Sequence, residues 1–199
     1  MTQKEKLAYY MEKINHNEEL KDAIYNNCDP DMFYSEDELA DDLEFLLEGG
    51  CKQDYDLVPF MNDGCGGLYV IVDDKHIGYM DSEGCTGYIA DSIEDFLNIL
   101  LVFGFFYYSK KSVKSFDIFM KEMEEDDMYR LPPEPIENFI AEEHMETDPE
   151  KLYHKLVKGL SIYPPFVIEP TDEDYCTTDN LLQMSEEEFC EFCKNTTDK

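Results

Sequence analysis

Two cysteines near the C-terminal end, Cys190 and Cys193, have a spacing that suggests chemistry. On a helix, such a pair could bind zinc or exchange a disulfide. A structural zinc site needs about four ligands, and the sequence holds no second pair of this kind. Acidic neighbours also disfavour the thiolate on which cysteine reactivity depends. A packing role is therefore favoured for both cysteines.

The histidines are the next candidates for catalysis or metal binding, and the chain has four: His16, His76, His144 and His154. No His-Glu-x-x-His motif occurs, and Glu143-His144 is predicted to lie in a polar helix. A hydrolase or metal enzyme would require the fold to bring His144 or His154 together with carboxylates in one pocket. Spacing alone favours solvated side chains over metal ligands.

A glycine-rich segment at residues 63–67, Asp-Gly-Cys-Gly-Gly, could be mistaken for a phosphate-binding loop. It lacks the Gly-Lys-Ser/Thr ending of such loops, and its carboxylate would repel phosphate. A turn with close backbone approach explains it better. No Gly-x-Ser-x-Gly occurs, and Cys65 and Cys85 have only His76 near them in sequence. We therefore predict no catalytic residue, no metal ligand and no cofactor.

The elements that would position these residues can be predicted from periodicity and capping residues. Residues 3–26 predict a helix in two parts, and Ser35 with Glu38 forms a capping box for another helix that Gly49-Gly50 ends. Residues 57–61 form a short extended segment. Three strands follow as an antiparallel meander, at residues 68–72, 75–80 and 86–90. Asp91 or Ser92 then caps an apolar helix that is expected to pack across the sheet.

The chain from Ser112 onward is predicted to be mostly helical. The exceptions are a possible short strand at Phe166–Ile168 and the loops around it, and Ser185 caps a last helix. The predicted fold class is α+β, with a small antiparallel sheet flanked by N-terminal helices and a helical C-terminal region. We expect two parts, a core at residues 1–111 and a helical region at 112–199 packed on it.

Charge is the strongest compositional signal. The 199 residues include 47 Asp and Glu against 16 Lys and Arg, a net charge of -31. Hydrophobic residues make up 43% of the chain, which is enough for a folded core. Phosphate binding needs clustered basic residues, and Arg130 is the single arginine. The composition therefore argues against nucleic acid or an anionic membrane as partner and favours a basic protein.

The sequence shows neither the pattern of a secretory signal nor that of a membrane span. The N-terminal residues are charged and lack the apolar stretch of a secretory signal. The longest apolar stretch, residues 96–108, is shorter than the about 20 residues that a membrane span needs. The number of cysteines is odd, at seven, which is typical of reduced thiols. We expect a cytoplasmic protein, while its oligomeric state stays open.

The central segment carries a series of short motifs whose order and spacing are familiar. They are Val58–Gly64, Gly66–Tyr69, Ile77–Tyr79, Asp81–Gly84, Gly87, Ile89–Ala90 and Ile93–Leu97. This series is similar to the SUKH superfamily, which includes fungal cell-wall-synthesis regulators and many bacterial immunity proteins. The resemblance implies an α+β fold without catalytic residues. It also assigns a structural role to the motif residues, namely Pro59, Phe60, Asp63, Gly64, Gly66, Gly67, Tyr69, Gly78, Ser82, Glu83, Gly84, Phe96 and Leu97.

The resemblance and the charge together predict a non-enzymatic protein that binds a basic protein partner. One expectation is an immunity-type protein that neutralises a nuclease-like toxin through an acidic surface. The alternative is an intracellular adaptor or regulator of the cell-wall-synthesis-regulator type, with an endogenous protein partner. The acidic residues in the predicted sheet turns, Asp73, Asp74, Asp81 and Glu83, are the candidate contacts.

Overall fold

The structure, a computed structural model, describes residues 1–28, 33, 35–47, 50, 52, 54–125, 131–169, 171 and 180–197. These residues form an α+β fold of helices and one four-stranded antiparallel sheet, as predicted. The elements are α1 (Gln3–Asn15), α2 (Glu18–Asn27), α3 (Glu36–Leu46), β1 (Leu57–Asn62), β2 (Leu68–Val72), β3 (His76–Met80), β4 (Thr86–Ala90), α4 (Ile93–Phe103), α5 (Phe116–Glu125), α6 (Glu134–Glu142), α7 (Pro149–Leu160) and α8 (Glu186–Thr197). A 3₁₀ turn at Ser112–Lys114 precedes α5.

Helix starts follow local capping chemistry, as the sequence predicts. Ser35 forms a complete capping box with Glu38 at the start of α3, and Ser92 caps α4 by accepting from the Asp95 N–H. These side chains satisfy N–H groups that have no partner inside the helix. At the other end of α3 the last helical residue is Leu46. Gly50 has a left-handed φ of +80°, and Gly49 lies outside the described residues.

The sheet is a meander in the order β1-β2-β3-β4, with every neighbouring pair antiparallel. Three strands were expected, and the extended segment before them forms the fourth, β1, at one edge. The register of β1 shifts between Pro59 and Met61. An edge position tolerates Pro59, which has no N–H to donate to a neighbouring strand.

One face of the sheet carries the larger hydrophobic core. Helix α4 crosses this face and is buried along most of its length. Residues on both sides of position 111 contribute to this core, for example Phe96 and Leu100 before it and Phe119, Phe139 and Leu156 after it. The C-terminal helices therefore complete the core around α4.

The opposite face is covered by α3 and by an extended segment near residue 166. Leu39 of α3 packs with Phe166 and Ile168 over Leu68 and Val70 of β2. The prediction of a strand at Phe166–Ile168 is wrong, because no strand forms there. The side chain of Thr86 holds the segment instead, donating to the Phe166 carbonyl at 3.2 Å and accepting from the Ile168 N–H at 3.3 Å.

Candidate functional site

The four predicted partner contacts lie in two turns at opposite ends of the sheet. Asp73 and Asp74 form the β2–β3 turn, and Asp81 and Glu83 lie in the β3–β4 turn. Strand β3 has five residues, so roughly 16 Å separates the two turns. The fold does not bring the four carboxylates together.

Asp74 holds the N-terminal helix α1 against the sheet, and Asp73 holds the backbone just before β1. Both have left-handed φ angles, +53° and +52°. The Asp73 carboxylate accepts from the Asp56 N–H at 3.0 Å, and the Asp74 carboxylate accepts from the Lys4 N–H at 3.1 Å, in the first turn of α1. Both side chains are half-buried and serve the fold through these bonds.

Asp81 has a similar structural role in the β3–β4 turn. One carboxylate oxygen accepts from the N–H groups of Glu83 and Cys85, at 3.0 and 2.7 Å. Glu83 itself is exposed. Three of the four predicted contacts are thus half-buried and bonded inside the fold, and partner contact stays a prediction for all four.

The motif residues at this end of the sheet centre on Asp63. One oxygen of its carboxylate accepts from the N–H groups of Cys65 and Gly67, at 2.8 and 2.7 Å, and the other accepts from the Tyr79 hydroxyl. A Cβ at position 67 would overlap both the Tyr79 hydroxyl and this carboxylate. The partly buried hydrogen bond between Tyr79 and Asp63 can therefore form only because residue 67 has no side chain.

The remaining motif residues build the sheet and its contact with α4. Gly78 of β3 allows Phe166 to lie directly on the strand, because an added Cβ would come within 2.8 Å of the ring. Pro59, Phe60, Tyr69, Phe96 and Leu97 belong to β1, β2 and α4, and Gly64, Gly66, Ser82 and Gly84 belong to the turns. Phe60 and Phe96 meet edge to face with ring centroids 5.2 Å apart.

Helix α3 presents an acidic surface whose residues are not among the four predicted partner contacts. Its outward stripe, here named the α3 acidic face, consists of Asp37, Asp41, Glu44 and Phe45, which lie within an arc of about 100° at helical spacing. All four are exposed, and the Phe45 side chain is 73% exposed. The signal in the sequence was a helix with six acidic residues and no basic one.

The carboxylates of α3 lack cationic partners, as do most carboxylates among the described residues. In the part of the chain that the structure describes, no ion pair involves any acidic residue of α3. Lysines are instead paired on α1, α5 and α7 and beside them, as in Lys6–Glu94 at 2.8 Å and Lys155–Asp95 at 2.7 Å. Within the described residues, no ion pair therefore offsets the charge of the α3 acidic face.

A second candidate is an open cleft of about 390 Å³ between α1, α4 and the α6–α7 connection. We name it the α6–α7 cleft. Its polar lining consists of Tyr10, Glu94, Asn98, Glu143, Glu146 and Lys155, and His144 and Met145 complete its rim. Asn98 fixes the connection, because its amide donates to the Glu146 carbonyl at 2.7 Å and accepts from the Glu146 N–H at 3.0 Å.

His144 stands just past the end of α6, so the prediction of a polar helix at Glu143-His144 is wrong. The N–H of His144 donates to Ala141 and that of Met145 to Ile140, the paired bonds that end a helix through a left-handed residue. His144 is that residue, with φ +55°. It lines a cleft with carboxylates, whereas His154 does not. Among the described residues, no group of three or more His, Cys, Asp or Glu is placed to hold a metal ion.

The C-terminal cysteine pair is a poor redox centre. Cys193 is buried, and burial raises the pKa of its thiol to about 11, with a smaller contribution from Cys190. The thiol is therefore protonated at neutral pH and a weak nucleophile.

Comparison of the chain with models of protein families, with curated proteins and with solved structures gave no match in any of the three searches. Within the described residues, no helix has the length and apolar character that crossing a membrane would require.

Proposed function

We propose that this protein is a non-enzymatic binding protein of the immunity type, which neutralises a basic, nuclease-like toxin through an acidic surface. The α3 acidic face is the observation that carries the proposal. It combines carboxylates that lack ion-pair partners in the described part of the chain with an exposed aromatic ring. The resemblance of residues 58–97 to the SUKH superfamily supports the same class of function.

The electrostatics suit a partner that normally holds nucleic acid. A nuclease is basic where it contacts phosphates, and the net charge of -31 would attract that surface from a distance. Asp37, Asp41 and Glu44 can then pair with lysine and arginine without first breaking internal ion pairs. Such steering raises the association rate and makes binding sensitive to salt.

Phe45 supplies an apolar anchor for binding, which the carboxylates cannot provide. Affinity in protein interfaces depends on a few anchors that are buried on binding, and aromatic residues are enriched among them. Phe45 is 73% exposed in the free protein, so binding could bury most of its ring. The carboxylates beside it would then set orientation and the rate of association.

The proposal can be tested with a charge-neutral variant of the α3 acidic face. The variant Asp37→Asn, Asp41→Asn, Glu44→Gln keeps side-chain size and removes three charges. Binding to a panel of basic nuclease domains would be measured at low and at high salt. We expect at least one domain to bind the natural chain, and the variant to bind it about tenfold or more weakly.

A matched control removes the same charge elsewhere. Glu12, Glu137 and Glu191 are exposed and make no ion pair within the described residues. Exchanging all three to Gln should keep the affinity for the domain within about twofold of that of the natural chain. The small loss reflects weaker long-range attraction, which salt screens. No binding to any basic domain at low salt would contradict the proposal. Binding only to an endogenous regulator would favour the adaptor alternative on the same surface.

A further inference from the structure

Tyr10 brings to the α6–α7 cleft a hydroxyl that has no hydrogen-bond partner among the described residues. The residue is 9% exposed, and its ring packs edge to face on Phe139 with centroids 6.5 Å apart. Every fully buried side-chain nitrogen or oxygen among the described residues has a hydrogen-bond partner. The Tyr10 hydroxyl has none within that part of the chain, so it must open on the cleft, which it lines. A hydroxyl so placed is available to a ligand.

The surroundings of this hydroxyl are negative. Burial raises the pKa of Tyr10, and the carboxylates of Glu94 and Glu143 raise it further, outweighing the opposite effect of Lys13. The hydroxyl is therefore neutral at physiological pH and offers lone pairs beside two carboxylates. Such a group favours a cationic donor over an anion.

The two carboxylates are fixed in place by α1 and still have room to accept. Glu94 pairs with Lys6 at 2.8 Å. Glu143 pairs with Lys13 and accepts from the Tyr9 hydroxyl at 3.2 Å. A carboxylate has about four lone-pair sites, so each keeps free acceptor capacity. Both are oriented before a ligand arrives.

The cations around the cleft are held in ion pairs. Lys155 is the one ammonium of the described cleft lining, and Asp95 holds it at 2.7 Å. Lys6, Lys13 and Lys151 pair with the three glutamates from outside the lining, and each of these carboxylates keeps lone-pair sites that can accept from a ligand. We infer that the α6–α7 cleft binds a primary ammonium group on an alkyl chain. The Tyr10 hydroxyl, Glu94 and Glu143 accept from the ammonium, and Met145 lies beside the alkyl chain.

This site is separate from the α3 acidic face and does not rest on the proposed function. Helix α3 covers one face of the sheet, while α1 and α4 lie on the other. The ammonium has two possible sources, a lysine side chain of a protein partner or a free alkylamine. Both place the same group in the cleft, and the choice of probe separates them.

Four probes test the inference on the full chain by amide chemical shifts in NMR titrations. Pentylamine represents a free amine, and N-α-acetyl-lysine methylamide represents a protein lysine. Both should shift the amides of residues 10 and 143–146. The N-ε-acetylated lysine derivative and pentanoate, which lack the ammonium, should not. The tighter of the two amines identifies the source of the ammonium.

Variants then assign the contacts. Tyr10→Phe keeps the ring and removes the hydroxyl, and it should weaken binding of the amines about tenfold. Glu94→Gln should weaken binding by a similar factor. Lys155→Met removes a like charge and should tighten binding severalfold. Tyr25→Phe, which removes an exposed hydroxyl on α2, should change nothing.

The charge of the ligand that binds distinguishes the inferred site from an anion site. Binding of pentanoate that Lys155→Met abolishes would overturn the inference, and so would amine binding that is unchanged in both Tyr10→Phe and Glu94→Gln. Absence of amide shifts with either amine at millimolar concentration would also overturn it. Thermal unfolding of each variant shows that a loss of binding is not a loss of fold.

Discussion

His144 holds a left-handed backbone conformation at the end of α6, on the rim of the α6–α7 cleft. Glycine or asparagine usually occupies such a position, since a side chain there costs free energy. The structure shows no compensating hydrogen bond from the imidazole within the described residues. A strained residue that faces a cleft is typical of sites kept for binding rather than for stability.

This strain predicts a stabilising substitution. His144→Gly should raise the free energy of unfolding by about 1 kcal/mol relative to His144→Ala, because alanine removes the imidazole but keeps the strain. Urea unfolding followed by circular dichroism measures both variants. Equal stability of the two would show that the backbone at this position is not strained.

Glu146 makes the cleft rim sensitive to acid. The ammonium of Lys151 lowers the pKa of Glu146 from 4.5 to about 2, with help from the Asp148 N–H. A carboxyl whose pKa is lowered in the folded state stabilises the fold above the unfolded pKa. That contribution is lost as pH falls from about 4.5 towards 2.

The expected consequence is a pH-dependent difference between the natural chain and Glu146→Gln. The melting temperature of the natural chain should exceed that of the variant at pH 7, and the two should converge as pH falls below 4.5. Lys151→Met should reduce the difference at pH 7 as well, because it removes the first cause of the shift. A constant gap between pH 7 and pH 3 would contradict this assignment.

At the scale of elements, local signals predicted helices well and long-range packing poorly. Ser35 and Ser92 cap helices through bonds to residues three positions away, so the sequence alone contains that information. Phe166 lies on the sheet because Gly78, 88 positions earlier in sequence numbering, leaves room for its ring. Nothing near residue 166 in the sequence shows this, and a strand was predicted instead.

The two candidate sites also differ in how far local sequence signals predict them. The charge of α3 is a local property, but its lack of ion pairs within the described residues depends on where the lysines of α1 and α7 lie in the fold. The α6–α7 cleft combines Tyr10, Glu94 and His144 from three distant segments. The sequence indicates His144 as a candidate, but no spacing links it to Tyr10 or Glu94.

The contact of Gly78 with Phe166 gives an element-scale prediction. Gly78→Ala should destabilise the protein by about 2 kcal/mol, since the added Cβ would lie 2.8 Å from the Phe166 ring and 2.9 Å from Val72. The matched control is Gly64→Ala, where an added Cβ would meet no atom of the described residues within 4 Å, apart from the chain neighbours, and where a left-handed φ of +73° opposes alanine.

A double-mutant cycle identifies the cause. Combining Gly78→Ala with Phe166→Leu should cost less than the sum of the two single changes, because the smaller side chain relieves the overlap. Strict additivity in chemical unfolding would mean that the ring and the glycine do not constrain each other.

At the scale of the whole molecule, repulsion between like charges destabilises the folded state, and the hydrophobic core stabilises it. A net charge of -31 costs self-repulsion, and α3 contributes carboxylates with no nearby cation among the described residues. The core around α4 draws on helices from both parts of the chain, so the C-terminal helices stabilise the sheet domain against this repulsion. The division at residue 111 stays a prediction.

Salt should therefore stabilise the protein. Raising NaCl from 20 mM to 0.5 M should raise the melting temperature by about 3 °C or more, because it shortens the range of repulsion. The variant with a neutral α3 acidic face should show a smaller rise. A melting temperature that falls with NaCl would mean that ion pairs outweigh repulsion in this fold.

The most direct test of the central claim is a pull-down with three immobilised chains. These are the natural chain, the variant with Asp37→Asn, Asp41→Asn and Glu44→Gln, and the control with Glu12, Glu137 and Glu191 exchanged to Gln. Extracts of the source cell and of its close competitors are applied at low salt, and bound proteins are eluted with salt and identified by mass spectrometry. We expect a basic nuclease that the natural chain and the control retain and the α3 variant loses. Equal retention by all three chains, or a nuclease that stays fully active when bound, would contradict it.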